Sequence, residues 1–306
     1  MVFCVCSAGI GRTGTYIAFE ELLKQARKHK NVDVFEFVKS MRENRMNMIQ
    51  TLTLLSIRPV TDKASKDDAL SKDNKSKNRT LDVIPLIKHR PYLFSHVAKR
   101  TSYINAVMLP TLRAQVGMIA TQYPTQDTVQ DFWCLIHDQE SPNVVILEPN
   151  KEEIQLFPNG EESELFGNIY VQQTSIDETK GANERKLSLL KKDTEEARQI
   201  DVFECLSWSW QEKLPTSSSV LLKLINRVFE WRDFKKTTDG ATKCGLFCSL
   251  FNTLEYLVEH GDVDVPRSVR QLQIRRPEFM TNIDQYEMVY EAVHEYLEQS
   301  SIYANT

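Results

Sequence analysis

The chain has 306 residues, 41% of them hydrophobic and 26% charged, with a formal net charge of -4 and a pI near 5.9. That is enough apolar material for a sizeable core, and the slightly acidic balance gives no electrostatic footprint for nucleic acid. No apolar run reaches bilayer-spanning length, no basic-then-apolar leader opens the chain, and the six cysteines follow no metal-ligand rhythm.

Residues 6–14 read Cys-Ser-Ala-Gly-Ile-Gly-Arg-Thr-Gly and run into a helical pattern with apolar positions at Tyr16, Phe19, Leu22, Leu23 and Ala26. Successive N–H groups of a glycine-rich turn that opens a helix can all point at one tetrahedral anion, and the helix dipole adds positive potential. Ser7, Ala8, Gly9, Ile10, Gly11 and Arg12 therefore read as a phosphate cradle, with Gly9, Gly11 and Gly14 allowing close backbone approach. Cys6 stands at its lip, where the same field favours a thiolate aimed at phosphorus. The planar fork of Arg12 can hold two equatorial phosphate oxygens at once, and Thr13 offers a hydroxyl beside the thiolate. A thiolate nucleophile needs a reducing compartment, so a cytoplasmic location is expected and the Asn78-Arg79-Thr80 sequon reads as a coincidence of lettering.

Further along, Ser56 to Lys77 is rich in Lys, Asp and Ser and lacks an apolar period, so residues 56–73 are expected to be a linker between a unit at 1–55 and a larger one at 74–306. Ordered strand and helix patterns then predict an α/β (α+β) unit, a highly twisted mixed sheet flanked by helices. Phe132, Trp133, Ile146, Leu254, Leu257, Val289 and Val293 are expected in its core. The charged stretch Asp177 to Arg198 is expected to span a hairpin turn.

The chain also repeats itself. Residues 237–282 align without a gap on residues 6–51, placing Gly240 on Gly9, Gly245 on Gly14, Val263-Asp264-Val265 on Val32-Asp33-Val34 and Arg276 on Arg45. Both copies run from a glycine turn through a helix, a polar break and a second helix to an arginine-led loop. The chemistry is not repeated: Thr237 replaces Cys6, Lys243 replaces Arg12 and Thr281 replaces Gln50. Threonine cannot act as a nucleophile without a base, and lysine offers a point charge in place of a fork. Cys244 and Cys248 fall at the wrong places to substitute and read as core-packing residues.

These residues resemble the protein-tyrosine phosphatase family, and specifically the tandem intracellular domains of its receptor-type members. "NKSKNRTLDVIP", "TSYINAVML", "GMIATQYPTQDTVQDFW", "PNVVIL" and "RRPEFMTNIDQYEMVYEAVHEYL" resemble successive signatures of the fold in family order. Residues 1–51 resemble the end of a preceding domain, from the signature loop to the glutamine loop "NRMNMIQT", so Met1 reads as a truncated or misplaced start. The resemblance implies hydrolysis of phosphotyrosine in proteins through a cysteinyl-phosphate. Cys6 would be the nucleophile, Arg12 the oxyanion clamp, Thr13 the aid to the leaving thiolate and Gln50 the holder of the hydrolytic water, with no metal or other cofactor.

Departures from the family pattern point the other way. Val5 stands where the family has a histidine, and Thr80 where it has the tyrosine of the recognition loop. In the second unit the acid loop reads Leu206-Ser207-Trp208-Ser209-Trp210-Gln211-Glu212, so the general-acid position falls on Trp210 or Gln211, neither of which can protonate a leaving phenolate. Glu212 reads as a solvated surface charge. The competing expectation is a non-catalytic pseudophosphatase that binds regulatory protein partners.

Overall fold

The computed structural model describes residues 66–147, 154–160, 162–179, 181–209, 211–230, 236–238 and 242–304. All of them fall within the unit Arg58–Thr306. The signature loop, with Cys6, Ser7, Ala8, Gly9, Ile10, Gly11, Arg12 and Thr13, lies outside the described residues, as do Gln50 and Trp210.

In chain order the elements are α1 (Asp67–Leu70), β1 (Ala106–Leu109), β2 (Met118–Thr121), α2 (Val129–Asp138), β3 (Asn143–Ile146), β4 (Glu164–Phe166), β5 (Ile169–Glu178), β6 (Ala182–Lys191) and β7 (Ala197–Cys205). They continue as α3 (Ser218–Glu230), β8 (Lys236–Thr238), α4 (Thr242–His260), α5 (Val265–Arg275) and α6 (Ile283–Ala304). The strands form one sheet in the order β1-β2-β8-β3-β7-β6-β5-β4. Its centre, from β2 through β8 and β3 to β7, is parallel. Both flanks are antiparallel, so the sheet is mixed, as expected.

Local sequence explains this division. Every residue of Met-Ile-Ala-Thr in β2 and of Asn-Val-Val-Ile in β3 is buried, as a parallel centre covered on both faces requires. Along β6 only Leu187 and Leu189 are fully buried, the period-two pattern of a ribbon with one wet face. The stretch Asp177 to Arg198, expected to span a single hairpin turn, holds the β5–β6 turn, all of β6 and the β6–β7 turn. Its charges are tolerated because they lie on a ribbon exposed to water.

One large core cluster holds Phe132, Trp133 and Ile146. The Trp133 indole N–H donates to the Leu156 carbonyl at 3.0 Å, so the ring's one polar atom is satisfied at full burial. Helix α4 is buried continuously from Lys243 to Leu254, and Val289 and Val293 of α6 are buried as expected. Leu257 is a correction, being only half-buried, because burial along α4 stops at Leu254 and the last turns of the helix meet solvent. Cys244 and Cys248 pack in this core, both fully buried.

Residues 66–73, expected in the linker, are also built into this unit. Ala69 is buried, Asn74 Nδ2 donates to the Asp68 carbonyl at 2.8 Å, and the Asp68 carboxylate pairs with Arg90. Arg90 in turn lies 4.4 Å from the centre of the Tyr92 ring and 5.0 Å from that of Tyr103. The segment has no apolar period because polar contacts, not an apolar stripe, fix it in place.

Candidate functional site

The short strand β8 lies at the centre of the sheet, hydrogen-bonded on one side to β2 and on the other to β3. Thr237 is matched with Ala120 and with Val145, and four residues past the strand's end the chain enters α4 at Thr242. A strand that leads directly into a helix at the middle of a parallel sheet is where ligands meet an α/β fold, since helix-terminal amides converge there. The element boundaries differ from those the alignment with residues 6–14 implies: Thr237 and Thr238 belong to the strand, and Lys243 and Gly245 to the helix.

Gly245 sits in a tightly packed corner. A Cβ on it would sit 3.1 Å from Phe279 Cβ and 3.2 Å from Met280 N, so the start of α4 presses directly on the loop after α5. Gln285, fully buried at the start of α6, holds the same corner: its side-chain amide nitrogen, Nε2, donates to the Thr242 carbonyl at 3.2 Å, and its Oε1 accepts from the Asn282 amide at 3.4 Å. Thr281 lies in this loop, exposed to solvent, beside Met280 at a positive φ of 53°.

Lys243, which stands in place of the arginine, does not point to open solvent. It is 3% exposed, and its Nζ donates to the carbonyls of Trp208 at 3.3 Å and Ser209 at 3.0 Å, lying 5.1 Å from the centre of the Trp208 ring. The structure therefore brings Lys243 together with the turn that follows β7. Trp208 is fully buried and its indole N–H donates to the Glu212 carbonyl at 3.2 Å, closing that turn on itself. Gln211 and Glu212 are exposed, Glu212 as expected.

The segment that opens the unit serves as a brace. Lys77, buried, pairs with Asp131 at 3.1 Å and donates to the carbonyls of Thr101 and Tyr103. Burial lowers its pKa, against the opposing pull of Asp131. Arg100 grips the same carboxylate with bonds of 3.0 and 2.7 Å, and the hydrogen bond to Asp131 is the main cause that raises its pKa. Arg79 donates to the carbonyls of Tyr123 at 2.6 Å and Pro124 at 2.8 Å. Thr80 is exposed and accepts from the Asp82 amide at 3.2 Å, so no aromatic wall stands at this position. Asn78, half-buried, joins the buried Tyr103, Asn105 and Arg276 in a polar junction that sequence reasoning did not single out, although its residues lie within the motifs named above.

A sequence profile described as protein-tyrosine phosphatase matches residues 1–57 and 74–295, covering both the signature loop and nearly all of the sheet and helices above. The chain belongs to the protein-tyrosine phosphatase family. Among curated relatives it is 26% identical to receptor-type tyrosine-protein phosphatase alpha of Mus musculus over 360 aligned positions, covering 98% of this chain and 43% of the relative. It is 26% identical to receptor-type tyrosine-protein phosphatase epsilon of Rattus norvegicus, over 98% of this chain and 52% of the relative. With receptor-type tyrosine-protein phosphatase U of Gallus gallus the identity is 25%, over 96% of this chain and 25% of the relative. The chain thus spans about half the length of these relatives or less. Among the described residues of this phosphatase-family chain, no helix is long and apolar enough to cross a membrane.

Proposed function

We propose that the unit from residue 74 onward is a non-catalytic, regulatory phosphatase module, and that the phosphotyrosine-hydrolysing chemistry of this sequence belongs to the Cys6 loop. The observation that carries this is the side chain at the arginine position: Lys243 is spent on two backbone carbonyls of its own domain, leaving no guanidinium fork for an equatorial phosphate. Thr237 stands in place of the nucleophile, and the adjoining turn offers only the exposed Glu212 as a carboxylate. By likeness to the receptor-type relatives, the chain would act in the cytoplasm, with phosphotyrosine proteins as substrates of a completed first domain and regulatory proteins as partners of the second.

On the Cys6 side, the thiolate would attack phosphorus in line, forming the S–P bond as the tyrosine oxygen departs, while Arg12 and the Ser7-to-Arg12 amides hold the equatorial oxygens. Thr13 would ease the thiolate's later departure as water, positioned by Gln50, releases phosphate. Turnover of a phosphotyrosyl peptide tests the division. Residues 1–51 grafted onto the upstream catalytic half of a receptor-type relative should give activity that Cys6→Ser abolishes and Val5→His raises. The ungrafted chain carrying Cys6→Ser should give none. Hydrolysis that survives Cys6→Ser in the ungrafted chain would place catalysis in the second unit and overturn the proposal.

A further inference from the structure

We propose that Lys243 is a built-in latch that holds the turn after β7 closed over the start of α4 without any ligand. The inference rests on the proposal that this unit is non-catalytic, and it deepens that proposal by specifying how the same site is regulated: it is fixed and does not respond to anions. Residues 206, 207, 211, 212 and 213 are exposed, so most of the turn has little packing to hold it. Among the described residues, two buried side chains anchor it. One is Trp208, fully buried, with its indole N–H on the Glu212 carbonyl. The other is Lys243, reaching from the first turn of α4 to the carbonyls of Trp208 and Ser209 and lying against the Trp208 ring.

The two anchors depend on each other. An ammonium 3% exposed is tolerable only while oriented dipoles replace its water, and the carbonyls of the turn are among those that do so here. Swinging the turn outward would strip these acceptors from a buried charge and expose the Trp208 ring in the same movement. A lysine suits this role because its compact ammonium fits between two adjacent carbonyls and the face of one ring. The charge that would otherwise recruit an anion is thereby used to hold the protein's own backbone, and closure needs nothing bound.

Peptide-resolved hydrogen exchange on the full chain reads the latch directly. In the wild type, peptides covering 205–213 should exchange slowly, and millimolar orthovanadate should leave them unchanged. Lys243→Met should speed their exchange by about tenfold or more, the loss expected for charge-assisted hydrogen bonds, while the β5–β6 ribbon keeps its protection. Lys243→Arg, which can still donate to both carbonyls, should retain most of the slow exchange. Equal exchange in wild type and Lys243→Met would overturn the latch. Should Lys243→Met fail to fold, the wild type alone decides: slowing of 205–213 by orthovanadate would show closure that waits for an anion and would equally overturn it. Neither result depends on turnover, so a failed latch is distinguishable from a failed assignment of catalysis to Cys6.

Discussion

Arg276 donates to Oδ1 of Asn105 at 2.8 Å, joining residues 171 positions apart in the chain. Both are buried, and Asn105 Nδ2 passes the connection on to Asn78 Oδ1 at 2.9 Å and the Val83 carbonyl at 2.8 Å. Removing one partner leaves the others buried without it, so Asn105→Ala should cost about 2–4 kcal/mol. All four tryptophans lie at position 133 or beyond, so urea unfolding followed by their fluorescence reports this unit alone. A loss below ~0.5 kcal/mol would show that the junction carries no stability.

Gly245→Ala should destabilise the unit by about 1–3 kcal/mol, the usual penalty for overpacking a closed core. An added methyl would press on Phe279 and on the Met280 backbone, which cannot turn aside as a flexible side chain could. Helix propensity alone argues for stabilisation by about 1 kcal/mol. The sign of the change in the unfolding midpoint therefore decides which effect dominates.

Stability should fall as pH drops from about 6.5 toward 4, and His89 should carry part of that fall. Its ring is buried and its Nδ1 accepts from Arg275 Nη1 at 2.8 Å. Burial first, then Arg275 and Lys88, push its pKa down to about 4. Between that value and the ordinary one near 6.5 the unfolded chain takes up a proton that the folded protein refuses. The resulting loss is about 2–3 kcal/mol, levelling off below pH 4. His89→Gln cannot titrate, so the difference between its urea midpoints at pH 7.5 and 4.5 should be smaller than that of the wild type. Parallel pH profiles for the two proteins would refute the assignment.

The parts of this fold legible in the sequence are those written in period or order. The mostly apolar runs of β2 and β3, the stripe through Phe247, Leu250 and Leu254, and the segment order shared with the family all lead to the mixed sheet that is observed. Polar fixation was not legible. Residues 66–73 look like a linker because Asp68 reads as solvated until Arg90, 22 residues later, is brought against it, and Asn74 until it bonds to the Asp68 carbonyl. Lys243 was legible as a lost arginine but not as a bond to Trp208 and Ser209, because its acceptors are backbone carbonyls, which every residue carries alike.

The position of β8 sets the timetable of assembly. The strands it joins, β2 and β3, are complete by residue 146, yet the three residues that lie between them arrive only at 236–238. A chain emerging from the ribosome must therefore carry two half-sheets with an open slot, their facing backbone groups unpaired, while some ninety more residues are made. Helix α4, which starts four residues after β8, is made later still. A chain ending before residue 236 would lack the strand that β2 and β3 share and would leave their facing edges unpaired, the kind of edge that invites association with other chains.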